Sequence, residues 1–303
     1  MKYRLLIPTL LAVCAGLVSC SRWTETESIT INTVLPWEQD PQLWEEYKAA
    51  IRDYKSRDHS LIYVRFENSP EGAVSEKGFM RCLPDSLDIV SLTNAENFSR
   101  FDAEDMEWMK SIGTRVLYQI DFASDAGVLL DQTARDAAID RAIATVQDNA
   151  LDGFSLTGIP KEDGGATAAA AKAAVERLVA ARSEGQLIAF EGNHAFIPHE
   201  DIQSVDLFVL ATEAVENGYD LRNVVLDAAD WGVPKEKMLL AADFDGVYYD
   251  SDNAETPVLE AMADNVIIYG PMAGLALYGI ESDYYHYDGD WLTLRSIISR
   301  MNH

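Results

Sequence analysis

An α/β chain closed into a single (β/α)8 barrel is the fold this sequence predicts, and three observations predict it. Short apolar runs of strand length recur eight times. Helix-period stretches separate them, which is the signature of parallel strands joined by crossovers. Runs such as LFVL, apolar throughout, and IVSL, apolar but for its serine, do not alternate with charged residues, as expected of parallel strands covered on both faces. The length suits one such barrel as well as two small domains. The unbroken alternation, without repeats or a Pro/Gly-rich divide, decides for the barrel, placed at residues 41–303.

Residues 28–35 (SITINTVL) read as an extended lead-in. A helix follows over 41–55, with Asp40 as its N-cap and Pro41 at the first helical position, where the missing N–H costs nothing. Strands are expected at 61–66, 88–92, 115–120, 153–157, 187–190, 207–210, 238–241 and 274–278. Between them the 3.6-residue period predicts helices over 103–112, 134–149, 166–182, 217–230 and 257–264, with a last one over 291–301. The 166–182 helix carries alanine on its packed side, so it can lie close to the sheet. Trp37, Trp44 and Trp108 fall on the lead-in or on helices and read as packing.

The N-terminus reads as an export leader over 1–19. Lys2 and Arg4 precede an apolar run from Leu5 to Val18 that is too short to span a bilayer. Leu17-Val18-Ser19-Cys20 resembles a bacterial lipobox, so cleavage before Cys20 would leave that thiol to be lipidated. Residues 20–40 then form a lipidated segment and linker. The acyl chains would anchor the protein to the outer membrane of a cell envelope, facing outward, while the rest stays in water. Cys14 leaves with the leader and Cys20 is acylated. Cys82 remains alone, so no intramolecular disulfide is expected. With 50 acidic against 24 basic residues and a formal charge of −26, the chain is a poor partner for nucleic acid or for an anionic membrane surface.

One segment carries the functional argument. Asp152-Gly153-Phe154-Ser155-Leu156-Thr157-Gly158-Ile159 resembles the signature strand of glycoside hydrolase family 18, D-G-x-D-x-D-x-E. Its Asp-Gly opening and apolar spacers are present. Ser155 and Thr157 stand where the family has aspartates, and Ile159 stands where it has glutamate. The resemblance implies that the glutamate would protonate the leaving oxygen and the neighbouring aspartate would orient the substrate's acetamido group, this family being an exception to the two-carboxylate scheme. A positioned general acid is worth roughly 10²- to 10⁴-fold in rate, and isoleucine has no proton to give. Residues two apart on a strand share a face, so 155, 157 and 159 are expected to point together into the barrel.

The resemblance extends along the chain. Tyr54-Lys55-Ser56-Arg57-Asp58-His59, Leu83 to Leu92, Arg115-Val116-Leu117 and Asp283-Tyr284-Tyr285-His286 resemble the segments at strands one, two, three and eight of endo-β-N-acetylglucosaminidase-like members. On the sixth strand the resemblance implies a tyrosine preceded by a glutamine. Here Ala211 takes the likely glutamine place and Glu213 the tyrosine place. The reading that follows is a degenerate family 18 barrel, not an enzyme, that binds an N-acetylglucosamine-containing glycan in a glycan-harvesting system beside an importer and partner glycosidases. Barrel sites lie at the C-terminal strand ends. That rule selects Asn68, Asn94, Gln119, Asp121, Glu191, Asn193, Glu213, Asp243, Phe244, Tyr248, Tyr278 and Tyr284 as glycan-binding candidates. Two alternatives stay open. One is an active endo-glycosidase with a relocated carboxylate, Glu191 or Glu213. The other is a structural lipoprotein whose mouth is plugged by Phe122, Phe244 and Tyr248. No cofactor or metal is expected: the acidic loop over 243–253 lacks EF-hand spacing, and His199-Glu200 lacks the second histidine of a zinc motif, Gln203 standing in its place.

Overall fold

A computed structural model describes residues 34–68 and 75–302. Two compact units are distinguished, one ending at Glu45 and one running from Glu46 onward. In the first, a short helix α1 (Pro36–Gln39) is closed by Glu38, whose carboxylate accepts from the Leu35 N–H at 3.1 Å. The Trp37 and Trp44 rings lie 6.0 Å apart. Most of the extended lead-in expected at 28–35, and the leader with Cys20, lie outside the described residues. Helix α2 (Pro41–Ser56) starts where Asp40 accepts from the Leu43 N–H at 3.0 Å.

The larger unit is a closed barrel of eight parallel strands, ordered β1-β10-β7-β6-β5-β4-β3-β2 around the ring. The strands are β1 (Leu61–Phe66), β2 (Ile89–Leu92), β3 (Arg115–Asp121), β4 (Gly153–Gly158), β5 (Leu187–Gly192), β6 (Leu207–Leu210), β7 (Met238–Asp243) and β10 (Gly274–Tyr278). A small antiparallel ribbon, β8 (Tyr248–Tyr249) with β9 (Glu255–Thr256), lies in the connection after β7. The connecting helices are α3 (Arg100–Ser111), α4 (Ala126–Leu130), α5 (Gln132–Asp148), α6 (Ala166–Ala181), α7 (Gly218–Asp230), α8 (Val258–Tyr269) and α9 (Leu292–Met301). All eight expected strands are present. Strands β3, β4, β5 and β7 run one or two residues further at their C-terminal ends than their apolar runs suggested. There polar residues stay in register: Asp121 pairs with Thr157, and Thr157 with Glu191. Helix α3 begins three residues early because Ser99 and Asp102 form a reciprocal cap. The short α4 and the ribbon carried no periodic signal long enough to read.

Alternation along each strand divides the buried residues into two layers. Ile62, Val64, Phe66, Val90, Phe154, Leu156, Phe190 and Phe208 face the helices. Tyr63, Ile89, Leu117, Ala189, Val209, Leu239, Ala241 and Ala276 fill the barrel interior. Each large side chain so buried stabilises by about 1.5–3 kcal/mol. On α6, Ala170, Ala171 and Ala174 are buried, and their small side chains let the helix lie close against its neighbours.

A recurring device closes the N-terminal end. Asp88, Asp152 and Asp206 stand just before β2, β4 and β6. Each carboxylate accepts from the N–H of the second residue of the preceding odd-numbered strand: Ile62 at 2.8 Å, Val116 at 2.9 Å and Ile188 at 2.8 Å. Asp88 also holds His59 Nε2 at 2.8 Å. That hydrogen bond, working against burial, raises the imidazole above its usual value. Burial pushes the nearby Lys55 ammonium down to about 8. Gly153 is required by a close approach: its φ is +138°, and a Cβ there would lie 2.0 Å from the Leu187 carbonyl oxygen. Among the described residues no helix is long and apolar enough to cross a membrane.

Candidate functional site

The C-terminal half of the barrel interior is organised around one carboxylate. Glu191, at the end of β5, is fully buried. Its Oε1 accepts from Tyr63 Oη at 2.7 Å, Ser155 Oγ at 2.6 Å, Ser91 Oγ at 2.9 Å and Gln119 Nε2 at 2.9 Å. Its Oε2 accepts from Arg65 Nε at 2.5 Å and Tyr278 Oη at 3.2 Å. Five strands besides β5 therefore converge on one side chain: β1 through Tyr63 and Arg65, then β2, β3, β4 and β10. Burial pushes the Glu191 carboxyl upward, but the Arg65 guanidinium and the Ser155, Tyr63 and Gln119 donors outweigh it. They hold the group below the usual carboxylate range. Tyr63 and Tyr278 are raised well above ordinary phenols, first by burial and then by the Glu191 charge, so both stay protonated and donate. A carboxylate so saturated is a fixed acceptor and an unsuitable proton donor.

Arg65 lies on the open side of this cluster. Its side chain is 32% exposed although its partner is fully buried. Its guanidinium carbon sits 3.8 Å from the centre of the Tyr278 ring. Burial disfavours its charge, and the Glu191 carboxylate more than restores it.

The segment from Asp152 to Ile159 separates into three levels. Asp152 is at the base of the barrel, bonded to Val116, and far along the strand from the mouth. Ser155 is in the interior and donates to Glu191. Thr157 is buried beside Asp121, to whose carboxylate it donates. Asp121 also accepts from the N–H groups of Ala123 at 2.9 Å and Ser124 at 3.1 Å. Although burial opposes it, the Ser124 and Thr157 hydroxyls help to hold this carboxyl below its usual value. Gly158 passes against Phe196, whose ring a Cβ would strike at 2.4 Å. Ile159 then lies beyond the strand end and is 56% exposed. The expectation that 155, 157 and 159 all point inward is thus corrected at its last member, because β4 ends at Gly158.

The other candidates divide. Gln119 and Tyr278 join the Glu191 cluster. Asp121, Asp243, Glu213 and Asn193 remain at least partly exposed at strand ends. Asp243 accepts from the Asp245 N–H at 2.9 Å, and Asn193 from the Ala195 N–H at 3.0 Å. Glu213 follows β6, where Thr212 Oγ1 accepts from the Ala241 N–H at 2.7 Å and so continues the ladder to β7. Asn68 and Asn94 are taken into the wall. Asn68 is fully buried, donates to Asp102 at 3.2 Å and accepts from the Asn94 N–H at 3.1 Å. Phe244, Tyr248 and Tyr284 pack in the layer outside the sheet. Tyr248 Oη accepts from Asn265 at 3.2 Å, and Tyr284 Oη donates to Glu76 at 2.8 Å. Phe122 belongs to that outer layer too, so Phe122, Phe244 and Tyr248 do not plug the barrel. The acidic loop is a turn in which Asp250 accepts from the Asp252 and Ala254 N–H groups, both at 2.9 Å.

Sequence reasoning missed Tyr63, Ser91 and Arg65. One signal was available for the last. In LIYVRF, positions 61, 63 and 65 share a face, so an inward Arg65 demands a buried counter-charge.

The model of "Glycoside hydrolase family 18, BT1044-like" matches residues 24–144. No curated protein matches the chain by sequence. Among solved structures, the selenomethionine form of BT1044 superposes with a TM-score of 0.70 at 19% identity, over 89% of this chain and 96% of its own. An endo-β-N-acetylglucosaminidase from Cordyceps militaris gives 0.62 at 16% identity, over 85% and 96%. YKL-39, solved in the presence of chitooligosaccharides (GlcNAc4), gives 0.61 at 10% identity, over 80% and 100%.

Proposed function

We propose that this chain is a glycoside hydrolase family 18-like protein that holds an N-acetylglucosamine-containing glycan without cleaving it, a reading supported by the family model over residues 24–144 and by the shared barrel. The observation that carries this reading is the state of Glu191. The interior carboxylate is saturated by donors and held ionised, while the position of the family's acid is occupied by the exposed Ile159. Asp121, Asn193, Glu213, Asp243 and Arg65 supply polar groups at the mouth for sugar hydroxyls. That a barrel of this shape was solved with chitooligosaccharides supports the ligand class. The relocated-acid alternative loses Glu191, because a general acid working near neutral pH needs a raised value rather than a lowered one. Glu213 is its remaining candidate.

The test is incubation of the purified chain with N-glycans and with chitin- and mucin-type oligosaccharides. Binding is read by calorimetry and the recovered sugars by mass spectrometry. Binding with every sugar intact is expected. Shorter products would replace this reading with the hydrolytic one. Ile159→Glu alone is expected to leave chitotetraose intact, since Thr157 has no carboxylate to orient an acetamido group and Ala211 and Glu213 do not replace the family's sixth-strand pair.

Lipidation at Cys20 would place the barrel on the outer membrane, facing outward, where it would pass glycans to an importer and to partner glycosidases. Holding ligand at several points raises its local concentration even when one site is weak. Labelled fatty acid should enter the wild-type chain and not Cys20→Ser in an exporting bacterium. Equal labelling of both would remove the anchor.

A further inference from the structure

Arg65 is more exposed than the ion pair it forms requires. A cation on an inward face of an apolar strand needs a counter-charge, and Glu191 supplies it through Arg65 Nε at 2.5 Å. A structural ion pair would be complete if both partners were enclosed. Here only the carboxylate is enclosed, while the arginine side chain is 32% exposed. Its Nη1 and Nη2 have no hydrogen-bond partner among the described residues, and its guanidinium carbon rests over the Tyr278 ring, 3.8 Å from the centre. The guanidinium is therefore held at Nε by Glu191 and placed over the Tyr278 ring, with its Nη groups left to donate. Such a fork is pre-organised, so little side-chain freedom is lost when it meets a ligand.

We propose that Arg65 is the donor at the floor of the glycan site, and that it takes an uncharged oxygen acceptor, a sugar hydroxyl or amide carbonyl, in preference to a carboxylate or sulfate. Charge selects the acceptor. Glu191 already neutralises Arg65, and Asp121, Glu213 and Asp243 stand at neighbouring strand ends in a chain of net charge −26. An anion entering this mouth meets repulsion and finds no unpaired cation. A neutral oxygen meets oriented N–H groups. Glu191 acts as the positioning residue, and Ile159 has no part in this contact. The inference rests on the glycan-binding reading and names which group recognises the sugar.

The experiment uses the full chain, with chitotetraose as the neutral probe and a uronic-acid tetrasaccharide as the anionic one. Arg65→Lys keeps a cation for Glu191 but loses the planar fork. It should retain the wild-type melting temperature and bind chitotetraose about tenfold or more weakly, as expected for loss of a charge-assisted hydrogen bond. Wild-type affinity for chitotetraose should change little between low and high salt. Unchanged affinity in a folded Arg65→Lys overturns the inference and leaves glycan binding standing. Tighter binding of the anionic probe, falling steeply with salt, also overturns it. Failure of the wild type to bind any panel glycan removes both readings. Should Arg65→Lys not fold, wild-type protein labelled with 15N-arginine decides. The slowly exchanging Nε–H held by Glu191 should shift on saturation with chitotetraose, and an unmoved resonance overturns the proposal.

Discussion

Glu191 illustrates how a single side chain can be chemically quiet and structurally central. Its charge is buried and balanced by Arg65, so removing one partner leaves the other uncompensated in a poorly solvated interior. Glu191→Ala should cost about 3–5 kcal/mol in denaturant unfolding. The pH dependence follows from the direction of its shift. An unfolded glutamate titrates near 4.3, and the folded value lies lower. The stabilisation is complete above the unfolded value and is lost as pH falls through the folded one. Acid unfolding followed by circular dichroism should show this limb in the wild type and its loss in Glu191→Gln. Persistence of the same limb in the variant would assign it to other carboxylates. Gln119, Ser155, Glu191 and Tyr278 were legible in the sequence as site residues, but their convergence, with Tyr63, Arg65 and Ser91, was not. Arg65 and Glu191 are 126 positions apart, and only barrel closure tells which inward residues share a level.

At the scale of the element, the three aspartates before β2, β4 and β6 act as matching base clamps. Asp152→Ala would leave the Val116 N–H without its partner and should cost about 1–3 kcal/mol. Asp88→Ala should cost more, since it releases both the Ile62 N–H and His59. Gly153→Ala should be worse than Asp152→Ala, because the new Cβ meets backbone that cannot yield. If the two changes proved equal in thermal unfolding, the close approach of β4 to β5 would not be limiting. The strands and most helices were legible because period and apolar runs are local properties. The ends of β3, β4, β5 and β7 were not, since polar residues such as Asp121 and Glu191 continue the ladder only because their neighbours hold them in register.

For the whole molecule, the two ends of the barrel respond oppositely to pH. At the base, His59 is raised above its usual value chiefly by Asp88. Its contribution is therefore present below the unfolded value near 6.5 and is lost as pH rises through the folded one. At the mouth, Glu191 contributes above the carboxylate range. Stability should accordingly decline on both sides of a plateau. His59→Gln should flatten the alkaline side while leaving the acid side in place, as measured by melting temperature against pH. Since His59 and Glu191 sit at opposite ends of the strands, their effects should add. A strong coupling between the two variants would mean that the barrel transmits strain along its length.

The barrel, the place of the Asp152-Gly153 strand as its fourth and the uncharged character of Ser155, Thr157 and Ile159 could all be read from the chain, because strand period and residue identity are local properties. Which carboxylate the interior is built around emerged from the folded barrel instead. It turned Asp152 to the base, left Ile159 outside the strand, drew Asn68 into the wall, sent Phe244, Tyr248 and Tyr284 to the outer layer, and joined Arg65 to Glu191 across the interior. The physical reason is that burial and pairing depend on which strands close the ring and at what register. A buried charge is settled by partners that lie far away along the chain.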